Sequence, residues 1–476
     1  FFKLVTDIGQ VDNGGTIIRT VNGVYELQYS GAVNVKWFGA VGNGIAYDTG
    51  AIQNAFNYVK ISGGEMLLEN GTYLIRDTIG TDTTNATDFC DNVTILGYGA
   101  VIIVDATAAN FTVFNLEGNN CHVKGIKITS TRPINHTVDP ATLRTPYFKG
   151  IKIGGKLTAD RTVGDSTYLK YNVSVEDCEI VNMNAPLTIG RASDGFIRNN
   201  VIHQYTDTGI LIDDCIKNIN VDSNSVYNGS DDNIFARHYD TSFYVNATTN
   251  YVGTINITNN NLGFTYAKHF GVGGYSDVIF SGNNCDSSWA GAIAYENGNA
   301  ASSDWSSRSI DNINFTVENN IIKNAGSYYG GTAWRQTVFP GGITPSAFNG
   351  GYASSRTPYP WKNIVFSGNT VIGSESYGVA LVNVQGALVE GNFFINNKAS
   401  GLGAIYLSNT DTVTITSNMM RGISLNFPHC YVLWDNEGTL TLAGIEIYGN
   451  TENFATAVLS FLSSVKTTEQ ASVNYV

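Results

Sequence analysis

The chain has 476 residues, of which only 14% are charged, and it carries 51 glycines and a formal net charge of −13. A charge of that sign argues against nucleic acid or an anionic membrane as a partner, and an acidic ligand would need a local basic patch. Low charge and abundant glycine are typical of an all-β protein with many tight turns. No 18-residue apolar run predicts a transmembrane segment and no signal peptide is visible, while the start at Phe1 suggests a fragment or a trimmed chain.

Residues 1–34 are predicted to form short strands joined by glycine-rich turns, and a short helix is predicted to follow them. Asp48 is a suitable N-cap residue, and the apolar side chains after it fall on one helical face. We expect this helix to cover the open end of the structure behind it, because uncovered strand edges would otherwise be exposed. The apolar positions of this helix are Ile52, Ala55, Phe56 and Val59.

The phrase Val-Xaa-Ile/Phe-Xaa-Xaa-Asn-Xaa-apolar recurs through most of the chain, and Cys178 and Ile126 take the asparagine position in two earlier copies. The shortest steps are 22 residues (178 to 200) and 23 to 26 residues later on (260 to 283, 392 to 418). Such a period fits three short strands and three turns, which is the rung of a parallel β-helix. A leucine-rich repeat would need a Leu-Xaa-Xaa-Leu-Xaa-Leu phrase, which is absent. The repeat asparagines are Asn200, Asn224, Asn260, Asn283, Asn320, Asn369, Asn392, Asn418 and Asn450.

The cysteines and histidines form no recognisable metal-binding pattern. The six cysteines contain no Cys-Xaa-Xaa-Cys, and the six histidines are scattered. Cys178 and Cys285 fall on or near the apolar phase of a rung, which predicts buried free thiols. The aspartate-rich turns lack the spacing of an EF-hand loop, so we expect neither a metal nor another cofactor.

The run Trp37-Phe38-Gly39-Ala40-Val41-Gly42-Asn43-Gly44 is followed closely by Tyr47-Asp48-Thr49-Gly50-Ala51-Ile52-Gln53. With the repeats behind it, this segment resembles the entry of the pectin-lyase-like superfamily as it occurs in bacteriophage tailspikes. The family phrase is Trp-Phe-Gly-Ala-Xaa-Gly-Asp-Gly-Xaa-Xaa-Asp-Asp-Thr-Xaa-Ala-Ile-Gln, in which Asn43 and Tyr47 replace the first two Asp residues. The resemblance covers roughly residues 33–455. It implies a trimeric right-handed β-helix that binds and usually cleaves a bacterial surface polysaccharide, with an inactive β-helix as the alternative.

Seven residues after the repeat asparagine, two successive rungs carry a carboxylate, Asp207 and Asp231, and Asp232 lies beside the second. Equal phase in a solenoid means stacking at about 4.8 Å, where like charges should raise at least one pKa. Glycoside hydrolysis requires such a pair, because one acid protonates the leaving oxygen while a base activates water or a nucleophile attacks. The alternative is an aspartate-rich turn that caps its own backbone.

Thr206-Asp207-Thr208-Gly209, followed by Tyr227-Asn228-Gly229-Ser230-Asp231-Asp232, resembles the polygalacturonase family of inverting hydrolases. The resemblance implies that Asp231 is the general acid and that Asp207 and Asp232 position the water. It also matches Lys268-His269-Phe270-Gly271 to the family's Gly-His-Gly, which makes His269 a substrate-binding candidate. The family's Arg-Ile-Lys has no counterpart, since Ala292-Ile293-Ala294-Tyr295-Glu296 stands there, so galacturonan is not the expected substrate.

A second candidate set lies near the thirteenth residue after the repeat position. Glu296 belongs to this set and is flanked by Trp289, Tyr295 and Trp305, which could raise its pKa by desolvation. It is therefore the alternative general acid, and a plain surface carboxylate is the competing interpretation. The set comprises Arg191, Asp213, Arg237 and Glu296, with Asp214 and Asp240 nearby in sequence.

Three long steps between repeat asparagines leave surplus residues near 234–250, 296–311 and 325–362, and a separate insert is predicted at about 131–170. The three surplus segments are rich in aromatic residues. Loops on one side of a solenoid usually form its binding face, and aromatic rings offer flat apolar surfaces to sugars. The predicted substrate-binding residues are His269, Arg237, Tyr239, Trp289, Tyr295, Trp305 and Trp334.

These observations predict an all-β chain with N-terminal strands and a capping helix (1–60), a right-handed parallel β-helix with loop insertions (61–455) and a C-terminal segment (456–476). The expected protein is a homotrimeric tailspike depolymerase of the phage tail, which acts at the host cell surface and hydrolyses glycosidic bonds in capsule or O-antigen polysaccharide. Two alternatives stay open. A polysaccharide lyase would use a Lys, Arg, His or Tyr base, and an adhesin would bind the polysaccharide without cleaving it.

Overall fold

The computed structural model describes residues 1–5, 9–82, 88–132, 146–155, 169–238, 253–289, 291–295, 314–326, 348–349, 361–375, 377–382, 384–396, 404–408, 410–421, 431–434, 443–452, 459–461 and 473–475. The chain divides into a first unit, residues 1–160 with 165–215, and a second unit, residues 161–164 with 216–476. Within the described part, no helix has the length and apolar character needed to cross a bilayer.

The first unit combines short strands with a 3-10 helix (Val35–Phe38) and one described α-helix, α1 (Thr49–Ser62). Its described strands are β1 (Phe2–Val5), β2 (Ile17–Thr20), β3 (Gly23–Leu27), β4 (Val33–Asn34), β5 (Asn43–Tyr47), β6 (Gly64–Leu67), β7 (Gly71–Ile75), β8 (Ile79–Gly80), β9 (Val93–Val104), β10 (Phe111–Glu117), β11 (His122–Ser130), β12 (Phe148–Gly154), β13 (Lys170–Glu176), β14 (Glu179–Met183), β15 (Ala185–Gly190), β16 (Ala192–Arg198), β17 (Val201–Tyr205) and β18 (Ile210–Asp213).

The second unit consists of strands in its described part. They are β19 (Lys217–Asp222), β20 (Ser225–Gly229), β21 (Ile234–Arg237), β22 (Thr254–Thr258), β23 (Asn261–Leu262), β24 (Phe270–Gly273), β25 (Asp277–Ser281), β26 (Asn284–Ser288), β27 (Ile293–Tyr295), β28 (Asn314–Glu318), β29 (Ile321–Ala325), β30 (Phe348–Asn349), β31 (Trp361–Ser367), β32 (Thr370–Ile372), β33 (Val379–Val382), β34 (Val384–Glu390), β35 (Phe393–Ile395), β36 (Ile405–Ser408), β37 (Asp411–Thr416), β38 (Met419–Arg421), β39 (Tyr431–Trp434), β40 (Ala443–Tyr448), β41 (Thr451–Glu452), β42 (Leu459–Phe461) and β43 (Val473–Tyr475).

Each strand of the second unit up to β40 pairs in parallel with the strand that comes three places later in the chain. Face 1 contains the series from β19 through β22 and β25 to β43, face 2 the series from β20 to β41, and face 3 the series from β21 to β42. The first unit repeats this winding, with β13 and β16 on its face 1, β14 and β17 on its face 2, and β12, β15 and β18 on its face 3. Each unit is therefore a stretch of parallel β-helix, as the repeat predicts, with the right-handed winding that the family resemblance implies.

The core of each unit is a column of apolar side chains. Alternation puts Ile255 and Ile257 of β22 inside with no exposed surface, while Asn256 between them faces outward. Phenylalanines continue the column from rung to rung, for example Phe270 against Phe280 with ring centroids 5.3 Å apart. Each fully buried side chain of this size contributes about 1.5–3 kcal/mol relative to an exposed one.

The repeat asparagines of the second unit form a buried ladder in the turn between faces 1 and 2. The Asn260 Oδ1 atom accepts hydrogen bonds from the Asn224 backbone N–H (2.9 Å) and side-chain amide (3.0 Å), and Asn260 Nδ2 donates to the Val221 carbonyl (2.9 Å). The same contacts recur at each further step to Asn450. The residue before each asparagine has a positive φ; these residues are Ser223, Asn259, Gly282, Asn319, Gly368, Gly391, Ser417 and Gly449.

In the first unit, Cys178 occupies a ladder position, as predicted, because its backbone N–H donates to Asn200 Oδ1 at 3.0 Å. Cys178 and Cys285 are both buried free thiols, which confirms that prediction. Burial raises the pKa of the Cys178 thiol to about 12. These thiols therefore act as small apolar groups in the core.

The capping helix α1 is present, and its four predicted apolar side chains are fully buried. The role predicted for Asp48 is wrong in one respect, since its side chain makes no cap hydrogen bond to the helix. Its carboxylate instead accepts the backbone N–H groups of Val41 (2.6 Å) and Gly42 (3.1 Å). Asp48 thus ties the preceding turn to the start of the helix, where its own carbonyl accepts the Ile52 N–H.

Three of the predicted inserts contain strands of face 3. Strand β12 lies within 131–170, β21 begins at residue 234, and β30 lies within 325–362. The sequence assigned these strands to inserts, because the third strand of each rung carries no recurring phrase by which it could be recognised. Much of each predicted insert lies outside the described residues.

Candidate functional site

The predicted carboxylates of the second unit lie in the turn between faces 2 and 3. We call residues 230–233, residues 263–269 and the described residues 289 and 291–292 the site turns, because they lie between faces 2 and 3 in three consecutive rungs. Isolated parallel bridges pair Thr265 with Gly229 and with Ser288, so the three site turns stack. The Thr265 hydroxyl also donates to the Asp231 carbonyl. The backbone around Asp231 is thereby held by the next rung.

Asp231 and Asp232 are neighbours in sequence but have different surroundings. Asp232 Oδ1 accepts the backbone N–H of Lys268 at 2.9 Å and lies 3.3 Å from Lys268 Nζ, and both side chains of this ion pair are only 7% exposed. A neighbouring cation favours the ionised form of a carboxylate. Asp231 is half-buried, and its Oδ1 accepts the Asp232 N–H at 2.9 Å. The site therefore presents one partly accessible carboxylate beside a buried, charge-compensated one.

His269 is fully buried, and its Nδ1 lies 3.0 Å from the side-chain amide nitrogen of Asn233. Because that nitrogen can only donate, Nδ1 accepts and the ring proton lies on Nε2, which has no hydrogen-bond partner among the described residues. Burial lowers the pKa of His269 to about 3, so the ring is neutral near pH 7. The substrate contact predicted for His269 would require this burial to be relieved.

Three half-buried aromatic residues belong to the site turns of the next two rungs. Phe264 and Tyr266 pack edge to face with centroids 5.0 Å apart, and the Tyr266 N–H donates to the Gly229 carbonyl at 3.1 Å. The Trp289 N–H donates to the Thr265 carbonyl at 3.1 Å. The sequence singled out Trp289 but missed Phe264 and Tyr266, because both lie close behind Asn260 rather than in a long insert.

Asp207 lies in the first unit, in its turn between β17 and β18. Its Oδ2 accepts the hydroxyl of Tyr147 at 2.5 Å, and its backbone N–H donates to the Asn184 carbonyl at 2.9 Å. The Asn184 side chain in turn donates to the Thr206 hydroxyl at 2.9 Å. Sequence reasoning missed Tyr147, which lies 60 residues before its partner. The stacking of Asp207 on Asp231 stays a prediction.

The second candidate set is partly out of register. In the first unit Asp213 lies opposite Gly190 rather than Arg191, because four residues (206–209) lie between the paired positions Tyr205 and Ile210, whereas three (184–186) lie between their partners Met183 and Leu187. In the second unit the half-buried Arg237 lies opposite Gly273. Within the described residues no group of three His, Cys, Asp or Glu side chains could hold a metal. Several predicted site residues lie outside the described part of the chain: Tyr239, Asp240, Glu296, Trp305, Trp334 and the side chain of Tyr295.

No protein-family model matches the chain, and a search of curated proteins found no match. Among solved structures, the chain is similar to the mannuronan C-5 epimerase AlgE4 A-module of Azotobacter vinelandii, at 16% identity over 91% of this chain and 99% of that one, with a TM-score of 0.51. It is also similar to PfbA, a surface adhesin of Streptococcus pneumoniae, at 15% identity over 90% and 93% of the two chains, with a TM-score of 0.52.

The Dettilon tailspike protein matches at 13% identity over 92% of this chain and 70% of that one, with a TM-score of 0.42. At identities of 15–16%, the similarities to the epimerase module and to PfbA show a shared fold and nothing more. The parallel β-helix is therefore common to this chain, an epimerase module and an adhesin, and the function must be argued from the site.

Proposed function

We propose that the protein is a glycoside hydrolase acting on a bacterial surface polysaccharide, with the site turns of the second unit as its active site. One observation carries the proposal. The partly accessible carboxylate of Asp231 lies next to the buried Asp232–Lys268 ion pair, and aromatic residues occupy the same turn in the following rungs. Carboxylates of unequal environment supply acid and base, while aromatic faces bind the apolar faces of sugars.

Asp231 acts as the general acid in this proposal, because a half-buried carboxyl group can exchange its proton with solvent and reach a bound substrate. Asp232, paired with Lys268, is proposed to stabilise the positive charge that develops on the sugar ring. Asp207 is proposed to position the attacking water, as the polygalacturonase resemblance implies. Glu296 is the alternative acid.

We further propose that the enzyme is a homotrimeric tailspike depolymerase of a phage tail, with capsule or O-antigen polysaccharide as its substrate. The segment from Trp37 to Gln53 supports this, since it resembles the entry of the tailspike β-helix. Sedimentation of the full chain measures the oligomeric state directly, and a monomer at micromolar concentration would contradict the trimer.

The function is tested by incubating the protein with a panel of purified capsular polysaccharides and O-antigens. We expect new reducing ends and oligosaccharides of defined mass, without ultraviolet absorbance from a new double bond. Products that do absorb would identify a lyase. Binding without products from any member of the panel would identify an adhesin.

Asp231→Asn tests the acid. Loss of general acid catalysis should lower turnover by at least about a hundredfold with the fold intact. Asp411→Asn is the matched control, because Asp411 is a half-buried carboxylate at the start of β37, outside the site turns. Full activity in Asp231→Asn would transfer the acid role to Glu296.

A further inference from the structure

Two cysteines of the first unit lie against each other in the turn that leads from face 3 to face 1. Cys90 precedes β9 and Cys121 precedes β11, so they occupy consecutive rungs of the same turn. Their Sγ atoms are 3.6 Å apart, and both residues are fully buried.

The backbone holds this pair in register. The Cys90 N–H donates to the Glu117 carbonyl at 2.9 Å, and the Asn92 N–H donates to the Asn119 carbonyl at 2.8 Å. Gly118 packs directly against Cys90, since a Cβ atom at Gly118 would lie 2.1 Å from the Cys90 carbonyl oxygen. The two sulfur atoms are therefore brought together by the stacking of the rungs rather than by a flexible loop.

We propose that Cys90 and Cys121 are an oxidation site, at which a disulfide joins two consecutive rungs of the first unit. Neighbouring rungs are about 4.8 Å apart, which lies within the Cα separation of roughly 4.4–6.8 Å that disulfides span. An S–S bond is about 2.05 Å long, so each sulfur atom must move by less than about 1 Å. Side-chain rotation supplies such a movement without displacing the backbone.

The reaction is thiol–disulfide exchange with a small disulfide such as glutathione disulfide. One cysteine thiolate attacks the oxidant to form a mixed disulfide and release one glutathione, and the second thiolate then displaces the other glutathione. The two cysteine protons end on the two glutathione thiols. The protein pair loses two electrons, and the oxidant gains them.

Burial makes this a slow reaction in the closed structure. The hydrogen bond between the two thiols, together with burial, raises the pKa of Cys90 well above its ordinary value, so the reactive thiolate is rare. Oxidation therefore requires folding or a local opening of the turn. A protein that matures in a reducing cell and works outside it would first carry the thiols and then acquire the bond.

The bond would reinforce the end of the first unit that α1 covers. Lys60 of α1 forms an ion pair with Asp88 at 2.7 Å, two residues before Cys90. The Gly64 N–H, just after α1, donates to the Asn92 carbonyl at 2.8 Å. A disulfide at Cys90 would therefore anchor the turn to which the C-terminal end of the helix is attached.

The test incubates the folded full chain with excess glutathione disulfide in urea. The urea concentration is kept below the unfolding midpoint and is chosen, in a separate trial, so that iodoacetamide alkylates both thiols, which shows that the turn opens. We expect peptide mapping to find Cys90 linked to Cys121, and the apparent Tm to rise by roughly 5 °C relative to the reduced protein. Recovery of both cysteines as thiols, or as separate glutathione adducts, would overturn the proposal.

Two variants complete the test. In Cys121→Ala, Cys90 should retain glutathione as a stable adduct, because no second thiol is present to displace it. In Cys285→Ala, which removes a buried thiol of the second unit, the link should form as in the unaltered chain. Cross-linking of Cys90 to any other cysteine in the unaltered chain would also contradict the proposed pairing.

Discussion

The ladder turns and the site turns of the second unit have opposite characters. The turn between faces 1 and 2 has two residues in every described rung, for example 223–224 and 319–320, and its second residue is always asparagine. The turn between faces 2 and 3 has four residues at 230–233 and seven at 263–269. Repetition lets identical side chains satisfy one another, whereas a change of length brings unlike groups such as Asp232 and Lys268 together.

Breaking the ion pair in the site turns should have the largest effect on stability. Lys268→Met leaves the buried Asp232 carboxylate without its cation, and we expect the free energy of unfolding to fall by about 3–5 kcal/mol. The double variant Lys268→Met/Asp232→Asn should regain part of this loss, because the uncompensated charge is gone. Urea unfolding of both variants measures the difference, and equal stability of the two would contradict a charge effect.

Removing one ladder asparagine should cost slightly less. Asn320→Ala deletes the bond to the Phe280 carbonyl (2.9 Å) and the contacts with Asn283 and Asn369, and we expect a loss of about 3 kcal/mol. Asn284→Ala is the matched control, since Asn284 donates to Asn261 on the outer surface and should cost well under 1 kcal/mol. Similar losses in both variants would show that burial of the ladder is unimportant.

Acid should expose a further weakness of the site turns. His269 is neutral in the folded protein down to pH about 3, whereas an unfolded histidine binds a proton below about pH 6.5. The unfolded state therefore binds more protons between these limits, and stability falls as the pH is lowered through them. At pH 4.5 the loss should be roughly 2–3 kcal/mol.

Other groups titrate in the same pH range, so the contribution of His269 is obtained by comparing the pH dependence of the unfolding free energy in the unaltered chain and in His269→Gln. The unfolding free energy of His269→Gln should change less between pH 7 and pH 4.5. His203→Gln is the comparison: burial also lowers the pKa of His203, but Glu179 opposes the shift, so this variant should change the pH dependence in the same direction and by less. An unchanged pH dependence in His269→Gln would show that its ring is accessible to protons in the folded state.

The smallest effect should come from the aromatic residues of the site turns. Tyr266→Ala removes one apolar face for a sugar, and we expect KM to rise about tenfold with little change in kcat. Tyr448→Ala is the control, because Tyr448 is an exposed tyrosine outside the site turns. Steady-state kinetics on the identified polysaccharide decide the matter, and an unchanged KM would remove Tyr266 from the binding surface.

The limits of sequence reasoning follow from the same contrast. The positions of Asn260, Asn283 and their counterparts were predictable, because the turn between faces 1 and 2 always has two residues. The asparagine therefore stands at a fixed distance from the strand before it. Counting thirteen residues onward failed at Arg191 and Asp213, where the intervening turn has a different length. The contact between Tyr147 and Asp207 could not be predicted either, because their separation of 60 residues does not correspond to the repeat period.

The amino-acid sequence by itself determined the parallel β-helix and the positions of its repeat asparagines, because both depend on a local pattern that recurs along the chain. It also determined the capping helix, through one amphipathic segment. Only the tertiary structure decided that Lys268 neutralises Asp232, that His269 is buried and neutral, and that Cys90 meets Cys121. These contacts depend on turn lengths and on which residues stack across rungs. No single repeat contains that information.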